Sequence, residues 1–168
     1  EQVLLPKEIP AVPLAEMKRI IKEKYGHEVS KDTDIDPQGE VHAGQYAKEE
    51  FKSDFIFLTK YPREFRPFYI MPDPNNENET RSFDLLFRGV EIATGAQRIH
   101  DYHQLVDSMK LFRLNPDDFG FYLEAFKYAM PPHGGWGMGS ERIVMKILGL
   151  ASVKEAILFP RDVKRLVP

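Results

Sequence analysis

Apolar residues recur every three or four positions in several parts of the chain, the spacing of a helix with one buried side. Leu14, Met17 and Ile21 form such a side in the first part of the chain. Asn115 and Pro116 form a typical helix start, because Asn caps free N–H groups and Pro fits the first turn. The pattern predicts helices over residues 14–25, 101–111, 115–128 and 140–148.

Compact apolar runs bounded by turn residues predict strands. We expect strands at 55–59, 68–71, 82–88, 90–94 and 156–159, with a bend at Gly89 between the third and the fourth. The segments between them predict turns or loops. These are the polar stretch 30–44, which is followed by a short helix over 45–51, the Asn-rich stretch 74–80 and the glycine-rich stretch 134–139.

Composition narrows the possible chemistry. The 168 residues are 42% hydrophobic and 29% charged, which is typical of one soluble globular domain. The net charge of −3 leaves no general basic field, so any polyanion surface must be local. The chain has no cysteine, which excludes disulfides, thiolate metal sites and a cysteine nucleophile. No apolar run approaches the roughly 20 residues of a membrane span and no signal-peptide pattern is present, so we expect a cytoplasmic location.

The glycine-rich stretch before the helix 140–148 has two interpretations. Glycines let the backbone approach a ligand, and a helix start offers free N–H groups to an anion. Arg142 in the first turn adds a charged or stacking contact, as a nucleotide site would use. The alternative is a tight junction between helix and sheet that requires small residues. Neither the Walker pattern nor the dinucleotide fingerprint is present.

Three charged residues on the predicted strands are candidates for ligand binding. Asp84 and Glu91 lie seven residues apart across the bend, so their carboxylates can face one pocket and hold Mg²⁺. Two solvated charges at a strand end are the alternative, which the spacing alone favours. Arg98 can bind a small carboxylate through two parallel hydrogen bonds, or form a surface ion pair. The histidines do not have metal-site spacing; they include His100, His103 and His133.

Taken in order, these segments resemble the C-terminal part of the catalytic domain of class II aspartyl-tRNA synthetases of the archaeal and eukaryotic type. The most specific sequence motifs are Gly95-Ala96-Gln97-Arg98 and Gly139-Ser140-Glu141-Arg142. The resemblance is close over 55–168, the part that contains motif 3, and loose over the insertion-like lead 1–54. It implies an α+β fold in which an antiparallel sheet is flanked by helices, as part of the class II catalytic fold.

The resemblance also implies a role for each candidate residue. Asp84 and Glu91 match the acids that hold Mg²⁺ on the phosphates of ATP, and Glu91 itself lies at the ATP. Thr94 stands where the family commonly has Ser near the amino acid, and Arg98 matches the arginine that binds the side-chain carboxylate of aspartate. The ATP-binding residues of motif 3 correspond to Gly139, Ser140, Glu141 and Arg142.

In the family, the anticodon-binding domain, the dimer-forming motif 1 and motif 2 precede the matched region, and the sequence has no Phe-Arg-x-Glu segment. We therefore expect an aspartate–tRNA ligase in a truncated form that is not competent alone. Its ligands would be ATP, Mg²⁺ and aspartate, with the tRNA acceptor end bound only by an intact form. The family's homodimer would be weakened without motif 1, and no membrane partner is expected.

Three other interpretations stay open at this point. The chain can be a paralogue that binds ATP and aspartate without catalysis, as a regulatory module. It can be an active half that a separate chain completes by supplying motif 2. It can also be a relative of asparaginyl-tRNA synthetase or of the synthetase-like asparagine synthetase, which share the scaffold.

Overall fold

The structure of the protein is a computed structural model that describes residues 2–30 and 34–166. Its strands are β1 (Ala11–Pro13), β2 (Phe55–Thr59), β3 (Pro72–Asp73), β4 (Asn76–Thr80), β5 (Ser82–Phe87), β6 (Val90–Arg98) and β7 (His133–Met138). Its α-helices are α1 (Leu14–Tyr25), α2 (Pro37–Phe51), α3 (Tyr102–Leu111), α4 (Gly120–Lys127) and α5 (Ser140–Leu148).

One five-stranded sheet organises the fold, in the order β1-β2-β5-β6-β7. The pairs from β2 to β7 are antiparallel, and only the short β1 joins its neighbour in parallel. Strands β3 and β4 form a separate antiparallel hairpin. Helices pack around this sheet, which confirms the predicted α+β fold with an essentially antiparallel sheet.

Two hydrophobic clusters hold the helices in place. In the first, Leu14, Met17 and Ile21 of α1 pack with Ile56 and Leu58 of β2, and Ala43 and Ala47 of α2 join them. Alternate residues of β2 are buried because one side of the strand faces these helices. The second cluster joins Ile99, just after β6, to α3 and α4, through Leu105, Met109, Leu123 and Phe126.

Helix α2 begins eight residues before the predicted one (45 − 37), so the expected loop over 30–44 was wrong in its second half. Asp36 caps the helix by accepting a hydrogen bond of 2.7 Å from Gly39 N, and Pro37 occupies the first turn. The side that faces the core carries Ala43 and Ala47. Such small residues leave a weak apolar pattern, which is why the sequence revealed only the second half of the helix.

The segment after β2 also differs from the prediction. Residues 68–71 form no strand; they run beside the end of β6, where Met71 N donates to Gln97 O and Ile99 N donates to Tyr69 O, both at 2.9 Å. The expected turn over 74–80 contains strand β4 instead. Its side chains are mostly exposed and polar, so the apolar pattern that marks a buried strand is missing.

Two further predictions were wrong near the C-terminal end. The glycine-rich stretch is not a loop, because it forms strand β7, which pairs with β6 over its whole length. Residues 156–159 are not a strand: a 3₁₀ helix covers Val153–Ala156, and Leu158 beyond it is 90% exposed. The helix that Asn115 caps begins as a 3₁₀ turn over Pro116–Phe119 and continues as α4.

The predictions for α1, β2 and α5 are confirmed at both ends, and those for β5 and α3 within one residue. Strand β6 continues to Arg98, four residues beyond the predicted end (98 − 94). None of the helices in residues 2–30 and 34–166 combines the length and apolar character that crossing a membrane requires.

Helix α2 rests directly on the turn between β5 and β6. A Cβ atom on Gly44 would lie 2.5 Å from Gly89 N, and one on Gly89 would lie 2.8 Å from Val41 Cα. Gly89 also has φ +71°, a conformation that residues with a side chain rarely adopt. The contact between the two backbones therefore requires glycine on both sides.

We predict that Gly44→Ala will destabilise the chain by about 2 kcal/mol, because the added methyl group must separate α2 from the turn. Urea unfolding followed by circular dichroism measures this change. Gly120→Ala is the matched control, since no atom lies within 4 Å of its Cβ position and its backbone is already helical. Equal stability of the two variants would contradict the close contact.

Candidate functional site

The pairing of β5 with β6 brings three candidate side chains to one side of the sheet. Asp84 and Thr94 are register partners, so their side chains share a face. Regular alternation would place Glu91, three residues from Thr94, on the other face. The register shifts, however, so that Leu86 pairs with Glu91 and Ile92 has no partner. This β-bulge turns Glu91 to the face that carries Asp84.

Asp84 is held by a buried arginine that the sequence analysis missed. The side chains of Asp84 and Arg66 are 4% and 11% exposed, and Arg66 Nη2 lies 2.6 Å from Asp84 Oδ2. The guanidinium stacks on the Tyr61 ring at 3.6 Å, and its Nη1 lies 3.5 Å from Thr94 Oγ1. Asp84 Oδ1 is buried without a hydrogen-bond partner. One oxygen of the carboxylate is therefore left without a strong partner, and the phenol of Tyr61 interacts with the same carboxylate.

Two more carboxylates, also missed, reach this place: Glu40 from the start of α2 and Asp34 from the segment before it. Glu40 accepts a hydrogen bond of 2.9 Å from Glu91 N, and Asp34 Oδ2 lies 3.9 Å from Arg66 Nη2. Burial raises the pKa of Asp34, Glu40 and Glu91, and the negative charge of Asp84 raises the pKa of Glu91 further. The site thus holds concentrated negative charge that a bound cation would relieve.

Arg142 connects the start of α5 to this cluster. Its Nη1 donates to Glu91 O at 2.7 Å and lies 3.4 Å from Glu91 Oε1. Gly139, just before the helix, donates to Ile92 O at 2.8 Å and so fixes α5 against β6. The structure therefore brings together Arg142 and Glu91, two of the residues that the resemblance assigns to ATP. The hydroxyl of Ser140 donates to Glu141 at 3.1 Å, and both residues are exposed beside the helix start.

Arg98 lies at the other end of β6, on the same face as Thr94. Its guanidinium sits 4.6 Å above the ring of Tyr69, which the sequence analysis also missed. A Cβ atom on Gly135 of β7 would come within 3.4 Å of that guanidinium, so the glycine leaves it room. Within residues 2–30 and 34–166 Arg98 forms no ion pair. Its charge is free to bind a carboxylate ligand.

The residues present fit a divalent cation only in part. Asp84 Oδ1 is an unpartnered buried oxygen, and Glu91 lies on the same face. The described part of the chain has no group of three or more His, Asp or Glu side chains placed to hold a metal ion. Two carboxylates cannot complete six-fold oxygen coordination, so the remaining ligands would be water or phosphate.

The fold that carries these residues is that of class II aminoacyl-tRNA synthetases, as the likeness to solved structures shows. An aspartyl tRNA synthetase from Entamoeba histolytica superposes with a TM-score of 0.91 at 34% identity, over 100% of this chain and 35% of that one. Asparaginyl-tRNA synthetase from Pyrococcus horikoshii gives 0.85 at 32% identity, over 96% and 38%.

Residues 3–163 match the family described as "tRNA synthetases class II (D, K and N)", and the chain belongs to that family. A curated relative, an aspartate–tRNA(Asp/Asn) ligase from Thermus thermophilus, is 50% identical over 163 residues, which are 97% of this chain and 38% of that protein. An aspartate–tRNA(Asp) ligase from Pyrococcus furiosus is 48% identical over 143 residues, 85% and 33% of the two chains. This chain therefore spans under two fifths of the curated relatives it matches.

We predict that Glu91→Gln will raise the melting temperature at about pH 7.5 by about 1–3 °C. Burial raises the pKa of Glu91. Above that pKa the side chain is ionised, and its charge costs more free energy in the folded state than in the unfolded chain. The cost falls as the pH drops through the raised pKa, and it vanishes below the ordinary value of 4.5. The gain from Gln should therefore shrink as the pH approaches 4.5.

Calorimetric melting between about pH 4 and 8 tests this expectation. The exposed Glu124→Gln on α4 is the matched control, and its effect should be small at every pH. A loss of stability in Glu91→Gln at neutral pH would mean that the carboxylate is compensated in the folded chain.

Proposed function

We propose that this chain binds ATP, Mg²⁺ and aspartate as part of an aspartate–tRNA ligase. The observation that carries the proposal is the order of groups along one face of β6, with Glu91 near Arg142 at one end, Thr94 in the middle and Arg98 at the other. Thr94 and Arg98 are four residues apart, about 13 Å along a strand. A small amino acid beside Thr94 and the extended side chain of Arg98 together fill that span. The nucleotide would lie toward Glu91.

Arg98 favours aspartate over asparagine. Its guanidinium has no ion-pair partner in the described residues and lies beside the Tyr69 ring, in a place that a free carboxylate would neutralise. The amide of asparagine would leave that charge uncompensated, at a cost in affinity. This charge is the reason for preferring an aspartate enzyme over an asparagine enzyme on a scaffold that both share.

In the proposed reaction, the α-carboxylate of aspartate attacks the α-phosphorus of ATP, which gives aspartyl-adenylate and pyrophosphate. A hydroxyl at the 3′ end of the tRNA then takes the aspartyl group, and AMP leaves. Mg²⁺, held by Asp84 and Glu91, would offset the charge of the phosphates. The chain's own residues bind and orient: Arg98 holds the side chain of aspartate, Thr94 lies beside its backbone groups, and Arg142 lies at the nucleotide.

The segment 139–142 would complete the nucleotide site. Gly139 keeps the backbone close to β6, and the exposed Ser140 and Glu141 lie at the free N–H groups of α5. Arg142 already contacts Glu91, so a phosphate or an adenine placed there would meet a preformed guanidinium. These four residues form the proposed ATP-binding part of motif 3.

Adenylation should need more than these residues. The family's motif 2 supplies an arginine for the α-phosphate, and no Phe-Arg-x-Glu segment is found in this sequence. We therefore place this chain in the cytoplasmic translation machinery as the motif 3 part of a catalytic domain. Dimerisation and tRNA binding would be carried by the regions of the relatives that this chain does not span.

We expect the purified 168-residue chain to give no aspartate-dependent ATP–pyrophosphate exchange with Mg²⁺, because the α-phosphate arginine is missing. Adding the motif 1 and motif 2 region of a close relative as a second chain should restore measurable exchange. The same mixture with Arg142→Ala is the control and should stay near background. Exchange by the chain alone would overturn the requirement for motif 2.

Aspartate binding gives a sharper test of Arg98. In calorimetric titrations, Arg98→Ala should weaken aspartate binding by about 10-fold to 100-fold, the loss expected for a charge-assisted hydrogen-bond pair. The affinity for Mg·ATP should change by less than about 3-fold, since the nucleotide lies at the other end of β6. Equal losses for both ligands would reject the assigned role.

Arg81→Ala is the matched control for this measurement. Arg81 is an exposed arginine that hydrogen bonds Gln97, the residue before Arg98, and Gln97 faces the other side of the sheet. This variant removes a neighbouring positive charge without touching the proposed aspartate site. Its aspartate affinity should stay within about 2-fold of the original chain.

A further inference from the structure

We infer that Arg66 is a positioning residue that serves as the internal counter-cation of Asp84 and keeps free Mg²⁺ from this carboxylate. The inference rests on the proposed function, in which Asp84 is a ligand of the nucleotide-bound metal. It adds a residue that acts through Asp84 and determines when the metal is bound. Neither the apolar pattern nor the family motifs pointed to Arg66.

The first argument is that the carboxylate of Asp84 already has a positively charged partner. Arg66 Nη2 lies 2.6 Å from Asp84 Oδ2, and both side chains are almost completely withdrawn from water. A buried carboxylate needs a partner, and here a guanidinium already provides it. A metal ion on Asp84 would lie within a few ångströms of that positive charge and would be repelled strongly in such a dry place. Free Mg²⁺ must therefore compete with a charge that the fold supplies.

The second argument is that the Arg66–Asp84 ion pair can break without leaving the guanidinium of Arg66 unpaired. Thr94 Oγ1 lies 3.5 Å from Nη1, Asp34 Oδ2 lies 3.9 Å from Nη2, and the ring of Tyr61 supports the guanidinium at 3.6 Å. A polyphosphate entering beside Asp84 and Glu91 would be a stronger partner for Arg66 than these groups. The guanidinium would then turn to the phosphate, and Asp84 would be released to the metal that accompanies it.

The third argument is charge. Four carboxylates meet at the site, those of Asp34, Glu40, Asp84 and Glu91, against the guanidinium groups of Arg66 and Arg142. Removing the charge of Arg66 leaves Asp84 buried without a counter-ion and adds one to the excess of negative charge. A divalent cation can replace the lost charge, because Asp84 Oδ1 and Glu91 offer it oxygen ligands.

A second buried pair in the chain provides a matched control. Arg88 and Asp54 have side chains 18% and 4% exposed, and Arg88 Nη2 lies 3.0 Å from Asp54 Oδ2. That oxygen also accepts a hydrogen bond of 3.0 Å from Leu4 N. The described contacts of Asp54 include no second carboxylate, so a lost arginine there cannot be replaced by a metal ion.

The experiment is thermal melting of the 168-residue chain without nucleotide, in EDTA and in about 10 mM MgCl₂. The original chain should shift by less than about 1 °C, whereas Arg66→Gln, destabilised in EDTA, should gain about 3 °C or more in a saturable way. Arg88→Gln should lose stability and gain nothing from Mg²⁺. Arg66→Lys, which keeps the charge, should behave like the original chain.

The double variant Arg66→Gln/Asp84→Asn identifies the carboxylate. It should respond to Mg²⁺ no more than the original chain does, because the buried Asp84 carboxylate that the metal would neutralise is gone. A response of Arg66→Gln no larger than that of the original chain, or an equal response in the double variant, overturns the inference. If Arg66→Gln does not fold in EDTA, refolding in Mg²⁺ becomes the readout; recovery supports the inference and failure overturns it.

A further arm separates this inference from the proposed function. Mg·ATP should stabilise the original chain, whereas Mg²⁺ alone should not. If Mg²⁺ rescues Arg66→Gln but Mg·ATP leaves the original chain unchanged, the role of Arg66 stands and ATP binding falls. If Mg²⁺ alone stabilises the original chain and Mg·ATP stabilises it further, the role of Arg66 falls and the ATP site stands.

Discussion

The antiparallel pairing of β5 with β6 is the constraint on which the candidate site depends. It places Asp84 opposite Thr94, and the bulge at Ile92 turns Glu91 to the same face. The hydrogen bonds of the ladder hold these backbones in register, so the carboxylates and the hydroxyl need no loop to position them. Arg98 follows on the same strand, which gives the proposed aspartate and nucleotide positions a fixed separation.

Burial of charge is the second organising force. Asp84 lies under the cover of the lead segment, and its charge would be prohibitively costly there without Arg66. The same segment contributes Asp34 and Glu40, so residues outside the motif 3 region belong to the site. The lead is thus more than a surface insertion, since it shapes the electrostatics around the proposed metal ligand.

The described residues leave part of the sheet and one helix face without cover. In residues 2–30 and 34–166 no strand pairs with the outer edge of β7, and Trp136 on that strand is 66% exposed. Apolar residues of α5 are exposed as well, among them Val144, Ile147 and Leu148. Unpaired edges and bare apolar faces favour association. The curated relatives are more than twice as long, so they carry residues that this chain does not span.

The sequence alone determined the features that depend on residues close together in the chain. These are α1, β2, α5 and the sequence motifs around Asp84 and Arg98. Periodicity and short motifs are local, so they are readable without a fold. The tertiary structure decided the rest. Helix α2 buries alanines that leave little apolar signal, and the glycine stretch becomes strand β7 because β6 supplies its hydrogen bonds. The role of Arg66 could be recognised only in the tertiary structure. Asp84 needs a counter-ion because folding removes it from water, and Arg66, which provides it, lies 18 residues away in the chain.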